Sequence, residues 1–372
     1  MDYTCDMREQ LIKAIDYAID TDNKIYFNEK KNRERILGAR TICVFGTGAF
    51  YIGYKHFLDR VDYVCDSNPE KWGKVFCGCM CISPQELFMM KDVAVIIMVS
   101  QYREIKKMLD DNNINNCYFG DLYSNVYTEY HNGEWFAKQK KDILKVYDLL
   151  KDKESRRIYS EVICLRTAPQ YAMNIFGELE TYGEYFNTGI INLTEHEVLV
   201  DAGAYNGDSI IDFIKTVNDR YDKIYAFELE KNNYLEMKKN LKPYDVGKMV
   251  LYNYGTSDKN RLIKCSGNGV DVRVTDSGEI AELVQIDKMI NEKVTYIKMD
   301  VEGAEQKSLD GASKIISSYY PKMCISAYHM LEDLWQIPLK ILKFSDDYRI
   351  YMRHHSPLAW DTDCYALPDK EK

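Results

Sequence analysis

The stretch "VLVDAGAYNGDSIIDF", residues 198–213, organises the C-terminal half of this chain. An apolar run ends at Asp201, a turn carrying Gly203 and Gly207 follows, and apolar positions then recur at helical spacing from near Asp208. Strand, glycine turn and helix in that order open a doubly wound α/β sheet, whose ligands lie beyond the carboxyl ends of the strands. The glycines let the backbone approach a ligand closely, and the helix start offers free amides to an anion.

Outward from this turn the pattern repeats. "KIYAFEL" reads as the next strand and ends at Glu228, 21 residues beyond Gly207, where an acid can accept both hydroxyls of a ribose. "MVLYNYG" is followed by "TSD", which sets Ser257 and Asp258 toward an adenine edge. "VTYIKMD" ends at Asp300 ahead of "VEGAEQKSLDGA", and "KMCISAY" reads as a fifth strand ahead of His329. A carboxylate at 201 would repel a pyrophosphate, so a nicotinamide dinucleotide fits poorly at this turn. A cationic amino-acid portion fits better, and S-adenosylmethionine carries one.

The segments "VDAGAYNGDS", "YAFELEKNNY", "IKMDVEGAEQKSLDGA" and "CISAYHMLEDLWQIPLKI" to "YMRHHS" resemble the FkbM family of S-adenosylmethionine-dependent methyltransferases over about residues 181–368. "KMDVEGAE" is the most specific of these. The resemblance implies a class I methyltransferase fold with a mostly parallel, seven-stranded sheet, and O-methylation of a sugar or polyketide hydroxyl. By position it makes Asp201, Gly203, Ala204, Tyr205, Gly207, Glu228, Leu229, Ser257 and Asp258 cofactor residues. Tyr205 stands where many methyltransferase turns have a third glycine.

A sugar hydroxyl is a weak nucleophile at neutral pH, so a base or a metal is useful. Asp300, Glu302 and His329 are the catalytic candidates: His329 or Asp300 would remove the proton, while Glu302 and Glu305 orient the acceptor or a divalent cation. His354 and His355, near Arg349 and Arg353, read as a surface loop.

An earlier strand and glycine turn, "VFGTGAFYIGYKHF", opens a second α/β unit. Gly46 and Gly48 follow the strand, Tyr51 stands at the third glycine position of a dinucleotide fingerprint, and Asp66 ends the next strand. The unit resembles small Rossmann-like domains ahead of sugar-modifying transferases, some of which bind a nucleotide-sugar. A ligand-free structural or dimerising role remains open beside that, with a homo-oligomer as one consequence. So does a nucleotide-sugar-binding protein whose methyltransferase half is degenerate.

The resulting division is an N-terminal helical segment over 1–35, a small Rossmann-like domain over 36–122, a helical connector over 123–180 and a methyltransferase domain over 181–372. The fold class is α/β with two Rossmann-like domains. The composition, 46% hydrophobic and 29% charged over 372 residues, supports two cores. A net charge of -9, spread along the chain, argues against nucleic acid. The longest apolar run, "VAVIIMVS" at 93–100, is too short for a membrane span, and the acidic opening "MDYTCDMREQ" does not read as a signal peptide. With eleven cysteines in no framework, reduced thiols and a cytoplasmic location are expected.

Overall fold

A computed structural model describes residues 3–99, 101–122, 130–266, 273–274 and 279–369. It is a mixed α/β chain built on two parallel-rich sheets. The first comprises β1 (Thr41–Phe45), β2 (Tyr63–Cys65), β3 (Val75–Phe76), β4 (Cys79–Ile82), β5 (Val93–Ile97) and β6 (Asn115–Tyr118), in the order β3-β4-β2-β1-β5-β6. All pairs are parallel except β3 with β4.

The second sheet comprises β7 (Val198–Ala202), β8 (Lys223–Phe227) and β9 (Met249–Tyr252). A small four-stranded sheet follows β9 in the chain: β10 (Gly255–Thr256), β11 (Arg261–Ser266), β12 (Arg273–Val274) and β13 (Glu279–Val284). The main sheet then resumes with β14 (Tyr296–Met299), β15 (Lys322–Ser326), β16 (Tyr348–His354) and β17 (Thr362–Pro368). Its order is β16-β17-β15-β14-β7-β8-β9, with β17 antiparallel to both neighbours. The direction of strand succession reverses beside β7, between β8 and β14, which leaves a crevice at their carboxyl ends.

Alternating residues of the central strands feed two separate cores. Val198, Val200, Ile297 and Met323 face one side, whereas Leu199, Ile224, Tyr296 and Cys324 face the other. Helices Asp208–Thr216 and Lys231–Leu241 cover the second side through Ile210, Phe213, Met237 and Leu241.

The first side is covered by helices from the N-terminal half of the chain. Residues 1–35, expected to be a lead-in, form helices Tyr3–Asp20 and Ile25–Leu37. Leu11, Ala14, Ile15 and Ala18 are fully buried on the first of these, which packs on helices Gly133–Leu149 and Lys153–Thr167. An apolar stripe of that width has to be covered, and those two helices supply the cover. The expected connector is likewise core: Phe136, Ile143, Ile158 and Val162 share one core with residues of the second sheet. Residues 123–129 of it lie outside the described residues. No helix among the described residues is long and apolar enough to cross a membrane.

Candidate active site

The crevice beside β7 opens into a cavity of about 1040 Å³. Gly203, Tyr205, Glu228, Leu229, Ser257, Asp300 and Glu302, all expected from the sequence, lie on its wall. Asp201, Ala204, Gly207, Asp258 and His329 do not.

Asp201 has no exposed surface and points into the protein. Its Oδ1 lies 3.1 Å from Lys298 Nζ, and its Oδ2 accepts from Ser209 Oγ at 2.5 Å. Burial raises its carboxyl above the ordinary range, and Lys298 opposes that shift. The acid closing β7 therefore meets an internal cation, so its charge does not face a ligand directly. Lys298 also donates to the Gly203 carbonyl at 2.7 Å and itself lines the cavity. It joins Asp201 to the turn that a ligand touches. Gly203 is obligatory here, because at φ 81° a Cβ would sit 1.7 Å from the Asp300 carbonyl oxygen.

Glu228 is 7% exposed at the end of β8. Its carboxylate accepts from the Tyr205 and Glu230 amides, each at 2.8 Å. Burial nonetheless pushes it up to about 7. A carboxylate with lone pairs still open, flanked on the wall by Phe227, Leu229 and Ser257, fits the hydroxyl pair and flat base of an adenosine. Helix Asp208–Thr216 brings Asp208 and Ser209 to the same wall, with their amides donating to Asn206 Oδ1 at 3.2 Å and Asp208 Oδ1 at 2.8 Å. The side chains present thus match the parts of S-adenosylmethionine.

Asp300 follows β14, across the Gly203 turn. Its oxygens accept from Tyr185 and Tyr328 hydroxyls at 3.3 Å each, and neither tyrosine was anticipated from sequence. Burial raises both phenols well above their ordinary value, so they remain donors.

His329 is 3% exposed behind this wall. Its Nδ1 lies 3.1 Å from Glu305 Oε1, and its Nε2 lies 3.2 Å from Glu302 Oε2 and 3.6 Å from Asp300 Oδ1. Burial works against its charge, yet Glu305, Glu302 and Asp300 together hold it well above its ordinary value. A doubly protonated ring has no lone pair to accept a proton. That favours Asp300 over His329 as the base. Ligand atoms of Asp300, Glu305 and His329 do lie within 4.8 Å of one another, a spacing compatible with a cation. Glu305 Oε1, however, already accepts from the Val301 amide at 2.9 Å.

His354 and His355 are not in a surface loop. His354 is fully buried, with Nδ1 2.8 Å from Thr362 Oγ1, and His355 Nε2 lies 2.9 Å from the Tyr365 hydroxyl. Arg353 pairs with Asp152 at 2.7 Å, the residue that caps helix Lys153–Thr167. The histidine pair belongs to the seam between sheet and helix, which strand alternation alone did not disclose.

In the first unit, Gly46, Gly48 and Asp66 line a second cavity of about 680 Å³. Asp66 is engaged there by Thr47 Oγ1 at 2.6 Å and Lys71 Nζ at 2.7 Å.

Residues 201–356 match the Methyltransferase FkbM domain. That domain makes the chain an S-adenosylmethionine-dependent methyltransferase by class. A solved structure, the methyltransferase FkbM from Methylobacillus flagellatus KT, aligns over 98% of this chain and 100% of its own with 22% identity and TM-score 0.67. The fold is thus shared along both units. Fibrillarin from Aeropyrum pernix, with natively bound S-adenosyl-L-methionine, covers 48% of this chain and 70% of its own at 14% identity and TM-score 0.32. No curated protein matches the chain.

Proposed function

We propose that this protein transfers a methyl group from S-adenosylmethionine to a hydroxyl of a sugar or glycan. The observation that carries the reading is the sharing of one cavity by Glu228, at the end of β8, and Asp300, at the end of β14. One acid suits a ribose, the other an acceptor hydroxyl.

S-adenosylmethionine, when bound, supplies an electrophilic methyl. Glu228, Leu229, Ser257 and the turn at Gly203 and Tyr205 would hold it. Asp300 accepts the proton that the acceptor hydroxyl loses, while the Tyr185 and Tyr328 hydroxyls fix the direction of its carboxylate. Positioning supplies much of the remaining acceleration, because both partners sit in one enclosed crevice. His329 holds Glu302 and Glu305 in place as a buried cation.

For the first unit, a nucleotide-sugar has weaker support than the cofactor reading. The cavity at Gly46 has room, but the Asp66 carboxylate is already engaged by Thr47 and Lys71.

Calorimetric titration with S-adenosylhomocysteine, NAD and UDP-glucose tests the reading, combined with mass spectrometry of methylated glycosides. Heat with S-adenosylhomocysteine that is lost in Glu228→Gln supports it. Heat with NAD alone would refute it.

A further inference from the structure

The cavity has a second end that the cofactor reading leaves unused. The loop between β16 and β17 leaves the methyltransferase sheet and buries Leu358 completely in the core of the first α/β unit. On the way its Pro357 carbonyl accepts from the Tyr118 hydroxyl at 3.3 Å. The loop returns through Trp360 and Asp361, both on the cavity wall. Phe57 of the first unit meets Trp360 with ring centroids 4.9 Å apart at 62°, and lines the same cavity.

Asp361 has the marks of a functional side chain. Its backbone holds φ 58°, a left-handed conformation that a side chain disfavours and that the anchored loop imposes. Among the described residues, nothing donates a hydrogen bond to its carboxylate. Burial, followed by the charges of Glu184, Asp363 and Asp300, holds it well above the ordinary carboxyl range. Glu184, open to the cavity yet ringed by protein, is pushed up to about 7 by that enclosure and by Asp363. Of the cations on the wall, Lys298 is paired with Asp201 and Lys215 with Asp212 at 3.5 Å, and Arg261 also lines the cavity. Lys307 stands on helix Glu305–Gly311.

We infer that the two units jointly build the acceptor subsite, with Phe57, Trp360 and Asp361 as its recognition residues, and that it admits phosphate-free hydroxylated rings rather than sugar nucleotides. The inference rests on the methyltransferase reading above. Its chemistry is direct: aromatic faces cover the apolar face of a ring, carboxyl groups exchange hydrogen bonds with its hydroxyls, and an end of the cavity lined by acids and aromatics offers a diphosphate no cation among the described residues to offset its charge. It also assigns the first unit a task. By gripping Leu358 and presenting Phe57, that unit completes a site whose chemistry lies in the other sheet.

The test uses full-length protein saturated with S-adenosylhomocysteine, probed by saturation-transfer NMR with methyl hexosides and with UDP-glucose. Transfer to methyl hexosides is expected, and transfer to UDP-glucose is not. Phe57→Ala should weaken hexoside binding about tenfold while leaving S-adenosylhomocysteine affinity within about twofold. Asp361→Asn, which keeps the side-chain shape, should do the same and guards against a folding artefact in the first variant. Transfer to UDP-glucose alone, transfer to neither probe, or equal loss of cofactor and hexoside in both variants would overturn the inference. If wild type gave no heat with S-adenosylhomocysteine, the methyltransferase reading itself would fail first.

Discussion

Replacing Lys298 by methionine probes why strand β7 ends in an acid. The ammonium lies 3.1 Å from Asp201 Oδ1, both groups are buried, and it also donates to the Gly203 carbonyl at 2.7 Å. At that separation, with an effective dielectric of about 20, the attraction is about 5 kcal/mol. Removing one partner of a buried pair typically costs ~3–5 kcal/mol, and methionine fills similar space, so little of the loss comes from a cavity. In the variant, burial still raises the Asp201 carboxyl while the Lys298 charge that opposed it is gone. The folded-state value then climbs further above the unfolded value of about 4, so stability falls as pH rises between the two. The deficit should be largest near pH 8 and shrink toward pH 4. Asp201→Asn should cost less, because Lys298 keeps the Gly203 carbonyl and the nearby charge of Asp300. Urea unfolding at pH 5 and pH 8 reads both quantities. A Lys298→Met deficit below about 1 kcal/mol, or one equal at the two pH values, would refute the reasoning.

Three further outcomes are expected. Asp300→Asn should lower kcat by about 10²- to 10⁴-fold with S-adenosylhomocysteine affinity kept, and an unchanged kcat would remove Asp300 as the base. Because Glu228 sits at about 7 and must be ionised to accept two hydroxyls, S-adenosylhomocysteine affinity should rise as pH is raised from 6 to 8. Calorimetry across that range should show the slope in wild type and a flat line in Glu228→Gln. Gly203→Ala would force its Cβ against the Asp300 carbonyl, so soluble protein with wild-type cofactor affinity would contradict the geometry of the turn.

Much of one end of the cavity was legible in the chain itself. Gly203, Tyr205, Glu228, Leu229 and Ser257 follow strand ends, and a strand end in a doubly wound sheet is a fixed place relative to the crevice. The acceptor end was not legible. The neighbours Glu184 and Tyr185, Phe57 and Asp361 come from three separate segments, and no local period connects those segments. Lys298 carried a signal that went unread: a lone lysine inside "VTYIKMD", in an otherwise apolar strand, needs a buried partner. The three carboxylates around His329 cannot be counted from its neighbours in sequence, because they are brought to it by the turn after β14 and the helix that follows.

The periodicity of residues 198–213 and its repeats determined an α/β sheet and the turn that meets a ligand, since strand alternation and glycine turns are local properties. Only the tertiary structure decided which acidic side chains face the cavity. Asp201 is turned inward onto Lys298, and Asp361 is turned outward by a loop anchored in the other unit. Charge acts through distance and burial, and both are set by segments far apart in the chain.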